Sequence, residues 1–123
     1  MANIGTTVDS LTICGLTQPF INQIMDSYSN ARKSPTNENI GIYEEKCNLL
    51  STQIAILYFA GANSSALYNP MGIEHVHENI DNPDYDDTQK MLDKIWLESL
   101  KRNFKTFNIN GFDDELQEAL SKL

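Results

Sequence analysis

Cysteine is scarce in this sequence: Cys14 and Cys47 are the whole supply, and they form no Cys-x-x-Cys pair. A chain of 123 residues does not need a disulfide to hold its core, so both are expected to be buried thiols in a reducing compartment. Long apolar runs are missing too. The longest, from Ile54 to Ala62, falls far short of the ~18–20 residues that span a bilayer, which argues against membrane insertion. The first basic residue is Arg32, so the N-terminus has no positive lead-in and no secretory signal peptide is expected. Cytoplasmic residence is the expectation. The Ser/Thr/Asn/Ile-rich start "MANIGTTVDSLTI" would also suit specialised export without a cleaved signal peptide.

Positive charge is the next shortage. Nine Lys and Arg face seventeen Asp and Glu, giving a net charge of −8 and a pI near 4.5. A charge of that sign repels phosphate backbones and anionic membranes, which argues against direct nucleic-acid binding. The expected partner is another protein with a basic surface. The imbalance is local, since residues 74–93 hold Glu74, Glu78, Asp81, Asp84, Asp86, Asp87 and Asp93 against Lys90 alone.

Catalytic signatures are also lacking. There is no G-x-S-x-G, no G-x-x-x-x-G-K-[ST], no G-x-G-x-x-G and no H-E-x-x-H, and internal repeats are absent. Most enzyme classes lose their usual mark, and no cofactor is expected. Cys47 falls within a helix packing seam, where a thiol is inert, while Cys14 in "ICGLT" has no histidine near it in sequence.

What is present is helical periodicity. At 41% hydrophobic and 21% charged residues the composition is that of one globular unit. Residues 1–15 read as a flexible arm and 16–123 as a single helical domain. Leu16, Phe20, Ile24 and Tyr28 mark a first helix, with Thr17 as its cap and Pro19 in its first turn, and Pro35 ends it. Ser34 or Thr36 can cap the second helix.

The clearest signal is Ile40, Tyr43, Cys47, Leu50, Ile54 and Leu57, spaced alternately by three and four, which predicts a helix over about 38–60. A second stripe of Ile42, Leu49 and Ile56 predicts a central position, apolar on two sides. A third helix from Asp84 or Asp86 carries Met91, Leu92, Ile95, Trp96, Leu100, Phe104 and Phe107 on one broad face, with acids at its start and Lys101, Arg102 and Lys105 at its end, as the helix dipole favours. "NING" reads as a turn, and "DELQ" from Asp114 resembles a capping box before a short last helix. The fold class is therefore all-α, an irregular bundle of three main helices plus a short C-terminal one.

Between the second and third helices the period fades into an irregular acidic segment over about 61–83, with room for a short helix around Ile73 to Ile80. Here stand the residues with chemistry to offer. An extended His75-x-His77 would place both imidazoles on one side, with Asp81 as a further metal-ligand candidate. A helical turn would send the two rings about 200° apart. Tyr68 and Tyr85 lie among the acids, a pairing that suits a protein interface.

Three functions compete. The leading one is a non-enzymatic interaction module of the immunity, inhibitor, secretion-chaperone or secreted-accessory type, as bacteria and phages use in immunity and virulence, binding through Tyr68, Glu74, Glu78, Asp84, Tyr85, Asp86 and Asp87. The second is a self-assembling structural component, as simple as a homodimer, joined through the 40–57 seam. The third is a small metal-dependent enzyme built on His75, His77 and nearby acids.

Overall fold

The computed structural model describes residues 19–61 and 73–123. These form five helices and no strands: α1 over 19–33, α2 Asn37–Phe59, α3 Ile73–Asn79, α4 Asp87–Thr106 and α5 Asp113–Ser121. The described residues are all-helical in class, with three main helices and a short C-terminal one. Residues 1–18, with the expected arm, Thr17 and Cys14, lie outside the described residues, as does Tyr68.

α1 and α2 form a tight helical hairpin. Pro35 stops α1, and the Thr36 hydroxyl accepts the Asn39 N–H at 3.2 Å as the α2 cap. Asn39 Nδ2 then donates to the Ser34 carbonyl at 2.8 Å and fixes the turn. The rings of Tyr28 and Tyr43 meet edge to face across this pair at 5.7 Å.

α2 buries the expected seam. Tyr43, Cys47, Leu50 and Ile54 are buried, with Leu57 half-buried at the end. Its second stripe behaves otherwise: Ile42, Leu49 and Ile56 remain 43%, 41% and 42% exposed. The flanking helices α1 and α4 cover the seam side only, so α2 is central without being enclosed. Gly61 ends the helix at φ 107°, a conformation open to glycine and strained for any other residue.

α4 runs beside α2 in the same direction, since Ser51 meets Ser99 midway and Phe59 meets Phe107 at the C-terminal ends. Parallel neighbours need a long crossover, and the stretch from Ala60 to Asp86, which contains α3, supplies it. The contact has a polar layer in an otherwise apolar interface. Ser51 Oγ and Ser99 Oγ share a 2.9 Å hydrogen bond, and Asn103 Nδ2 donates to Ser51 Oγ and to Asn48 Oδ1. No buried side-chain nitrogen or oxygen among the described residues lacks a partner, as a low-dielectric interior requires.

α4 ends in a Schellman motif. Asn108 takes φ 59°, its N–H reaches the Lys105 carbonyl at 3.1 Å, and the Ile109 N–H reaches the Phe104 carbonyl at 2.8 Å. Asparagine tolerates the left-handed conformation, and Ile109 is drawn inward onto the core. α5 then begins one residue before the expected box. Phe112 is the N-cap with no side-chain cap bond, and Asp113, Asp114 and Glu115 fill the first turn, where the helix dipole favours them. The buried Phe112 ring sets this start by packing on Phe104 at 5.6 Å and Tyr58 at 5.5 Å. The core is completed by Ile73, Val76, Leu92, Leu97, Leu100 and Leu116, all essentially inaccessible to solvent.

Among the described residues no helix is long and apolar enough to cross a membrane.

Candidate functional site

The segment with the chemical residues is ordered by three local devices. α3 is held down by Ile73 and Val76, both buried, and closes when Asn79 Nδ2 donates to the His75 carbonyl at 2.8 Å. Asn82 and Pro83 then turn the chain: Asn82 Oδ1 accepts the Asp84 N–H at 3.0 Å, and its carbonyl accepts the Tyr85 N–H at 3.0 Å. Asp86 caps α4 through a capping box, taking the Gln89 N–H at 2.8 Å while Gln89 Oε1 takes the Asp86 N–H at 3.1 Å. The expected irregular stretch at 61–83 is therefore helical over its later part.

That helix separates the histidines. His75 turns toward α4, its Nε2 lying 3.4 Å from Asp93 Oδ2, and remains 54% exposed. His77 turns toward the C-terminus, where the Lys122 ammonium donates to its Nδ1 at 2.8 Å. An imidazole nitrogen that accepts this bond carries no proton. The rings do not converge, and Asp81 is exposed on the following turn. Among the described residues no group of three His, Cys, Asp or Glu is placed to hold a metal ion.

Tyr85 differs from the expected exposed contact residue. It is buried, and its hydroxyl donates a short hydrogen bond to the Asp93 carboxylate. Its ring stands edge to face with His75 at 6.1 Å. The reason is steric and electrostatic: the turn at Asn82 brings Tyr85 back over the first two turns of α4, where Asp93 is the nearest acceptor.

Asp93 is the residue that sequence reasoning missed, having been counted only as charge. It stands at the spacing of Leu97, Leu100 and Phe104, four, seven and eleven residues on, and that register was the available signal. Its side chain is 12% exposed. Burial raises its carboxyl above the ordinary range, while the Tyr85 hydroxyl and His75 act in the opposite sense. Burial, with Asp93 beside it, likewise raises the Tyr85 phenol. Tyr28 of α1 also faces this cluster, and burial, with Asp93 nearby, raises its phenol. The cluster has the character of a structural tie between α3, the turn and α4.

Cys47 is free and wholly buried, and burial pushes its thiol up to about 12. A thiol so far from ionisation is a poor nucleophile, which agrees with its place in the seam.

The exposed groups are Glu74, Glu78, Asp81, Asp84, Asp86 and Asp87. No Lys or Arg occurs in sequence between Ile73 and Asp87, and the cation that reaches this segment from elsewhere is Lys122, at His77. No family model matches the chain, and neither a curated protein nor a solved structure is significantly similar to it.

Proposed function

We propose that this chain is a non-enzymatic interaction module that docks a basic protein through the carboxylates of α3 and residues 81–87. One observation carries the reading: six exposed carboxylates stand on a backbone already fixed by the Asp86–Gln89 box, the Asn82 turn and the Tyr85–Asp93–His75 tie. A charged surface held rigid before binding gives up little conformational entropy on docking, and its field speeds encounter with a partner of opposite sign. Immunity proteins, inhibitors and secretion chaperones are the classes that such a small acidic body would suit. Tyr85, turned inward, is assigned to supporting this surface, and Glu74, Glu78, Asp84, Asp86 and Asp87 to forming it.

The test compares the tagged native chain with a variant carrying those five residues as Gln or Asn, both used to capture proteins from lysate of the source. The native chain is expected to retain a basic partner at 1:1 stoichiometry that the neutralised chain loses, with both chains melting cooperatively. Equal capture by the two sinks the reading.

Self-assembly is the second reading, not through the 40–57 seam, which the chain buries within itself, but through the exposed stripe of Ile42, Leu49 and Ile56 on α2, continued by Phe59 at 72% exposure. A mass that rises with concentration and falls on Leu49→Glu would support it. The metal-enzyme reading finds no support in the diverging His75 and His77.

A further inference from the structure

The chain is acidic overall, yet its C-terminal half carries a concentrated patch of the opposite sign. Lys94, Lys101, Arg102 and Lys105, with Glu98 as the one carboxylate among them, line one wall of an open groove between α4 and α5, with a volume of about 520 Å³. Gln117 and Leu120 of α5 line the facing wall.

The cations in this groove are poorly neutralised. Only Lys94 among them reaches a carboxylate of the described residues, Glu98, at 4.0 Å, the outer limit of an ion pair. Lys101 Nζ donates instead to the neutral Gln117 amide at 2.9 Å, and Arg102 to the neutral Asn48 amide at 3.4 Å. Among the described residues neither these two nor Lys105 forms an ion pair, in a chain with seventeen carboxylates. Neutral amides hold Lys101 and Arg102 in place without neutralising them, although Arg102 also borders Glu44 and Glu45 on its α2 side.

We infer that the groove between α4 and α5 is a docking site for a short acidic peptide segment of a protein partner, separate from the acidic face.

Shape and surroundings choose among the anions. The cations do not converge on a point, as they would around one phosphate. They follow α4 over eleven residues, roughly 16 Å at the helical rise, which matches about five residues of extended chain. A longer polyanion would overrun the groove. At the Lys105 end it would meet Asp113, Asp114 and Glu115 on α5, and at the other end the acids that open α4, so a nucleic-acid strand is repelled beyond the groove. An acidic peptide stays within it. Gln117 and Ser121 offer it amide and hydroxyl partners, and Leu120 an apolar floor.

The test is fluorescence anisotropy of labelled hexaglutamate titrated with the full chain, beside labelled hexalysine and a six-residue oligo-dT. Saturable hexaglutamate binding is expected, weakening about tenfold or more as salt rises from about 50 to about 300 mM. The Lys101→Gln/Arg102→Gln/Lys105→Gln variant is expected to lose it, and neutralising Glu74, Glu78, Asp84, Asp86 and Asp87 is expected to leave it intact. Lys101→Gln/Lys105→Gln, which keeps the Arg102 bond to Asn48, is expected to weaken binding as well and serves if the triple variant does not fold. Equal binding by native and groove variants overturns the inference, as does oligo-dT binding as tight as hexaglutamate. So does a salt-sensitive dimer of the native chain that the groove variant lacks, in the absence of hexaglutamate binding, because the occupant is then a second copy.

Discussion

Phe104→Ala is expected to cost about 3–5 kcal/mol, a large share of the roughly 5–15 kcal/mol that holds a domain of this size together. Phe104 is 1% exposed at the point where α2, α4 and the 107–112 turn meet. Its ring packs on Phe112 at 5.6 Å, and its carbonyl accepts the Ile109 N–H that closes α4. Truncation leaves a cavity lined by groups that other contacts already fix, so little collapse can fill it. The loss reaches the proposed acidic docking face only indirectly, through α5 and the α3 packed on it. Urea unfolding followed by Trp96 fluorescence checks the value. A loss under about 1 kcal/mol would mean that the α4–α5 corner is not the centre of the core.

Asp93→Ala is expected to cost about 1–3 kcal/mol, because the buried Tyr85 hydroxyl then has no acceptor. Asp93→Asn keeps the shape of the side chain and an acceptor for the Tyr85 hydroxyl, so at neutral pH it is expected to change stability by under about 1 kcal/mol. The two variants also differ in pH dependence. Burial raises the Asp93 carboxyl in the folded chain, so folding holds that proton more tightly than the unfolded chain does. The stability this proton confers is complete below the ordinary carboxylate value of about 4 and is lost as pH rises through the raised folded value. The difference in urea midpoint between the native chain and Asp93→Asn is therefore expected to favour the native chain at acid pH and to shrink or reverse toward neutrality. A difference that grows in favour of the native chain as pH rises would show the ionised carboxylate to be the stabilising form, with His75 outweighing burial.

The contrast between these two residues mirrors how far each was legible in the sequence. Phe104 and the α2 seam were readable because a period of three and four repeated over five turns has one physical explanation, burial along a helix. The dipole pattern of α4 and the Thr36 cap were readable for similar reasons, each being a local rule satisfied within a few residues. Asp93 was not, because a carboxylate beside other carboxylates looks solvated until Tyr85, eight residues earlier, is folded back onto it. Ser51 falls with Glu44, Glu45 and Lys46 in the polar sector of α2 by sequence yet is buried against Ser99, since small hydroxyls suit an outer face as well as a close helix contact. α3 is only seven residues long, too short for its period to stand out, and its existence rests on Ile73 and Val76 finding the core. The direction of each histidine then follows from helical geometry, the helical rather than the extended form of His75-x-His77. The capping box at Asp114 failed because a buried Phe112 ring outweighed a side-chain bond at the helix start.

The charge separation along α4 was half legible. Acids at its N-terminus and bases at its C-terminus have a sufficient explanation in the helix dipole. What the sequence did not disclose is that the bases line a groove with α5, Lys101 and Arg102 bonding to amides, while the acids join those of α3 on an exposed turn. One small helical body thus offers two surfaces of opposite sign.

Carboxylate footprinting tests the central claim most directly. The captured complex and the free chain are treated with a water-soluble carbodiimide and glycinamide, and labelling is read at each Asp and Glu by mass spectrometry. Protection in the complex is expected at Glu74, Glu78, Asp84, Asp86 and Asp87, with Glu38, Glu44 and Glu118 labelled as in the free chain. Protection centred on Glu38 and Glu44, or on none of the carboxylates, would contradict an acidic docking face on α3 and the adjoining turn.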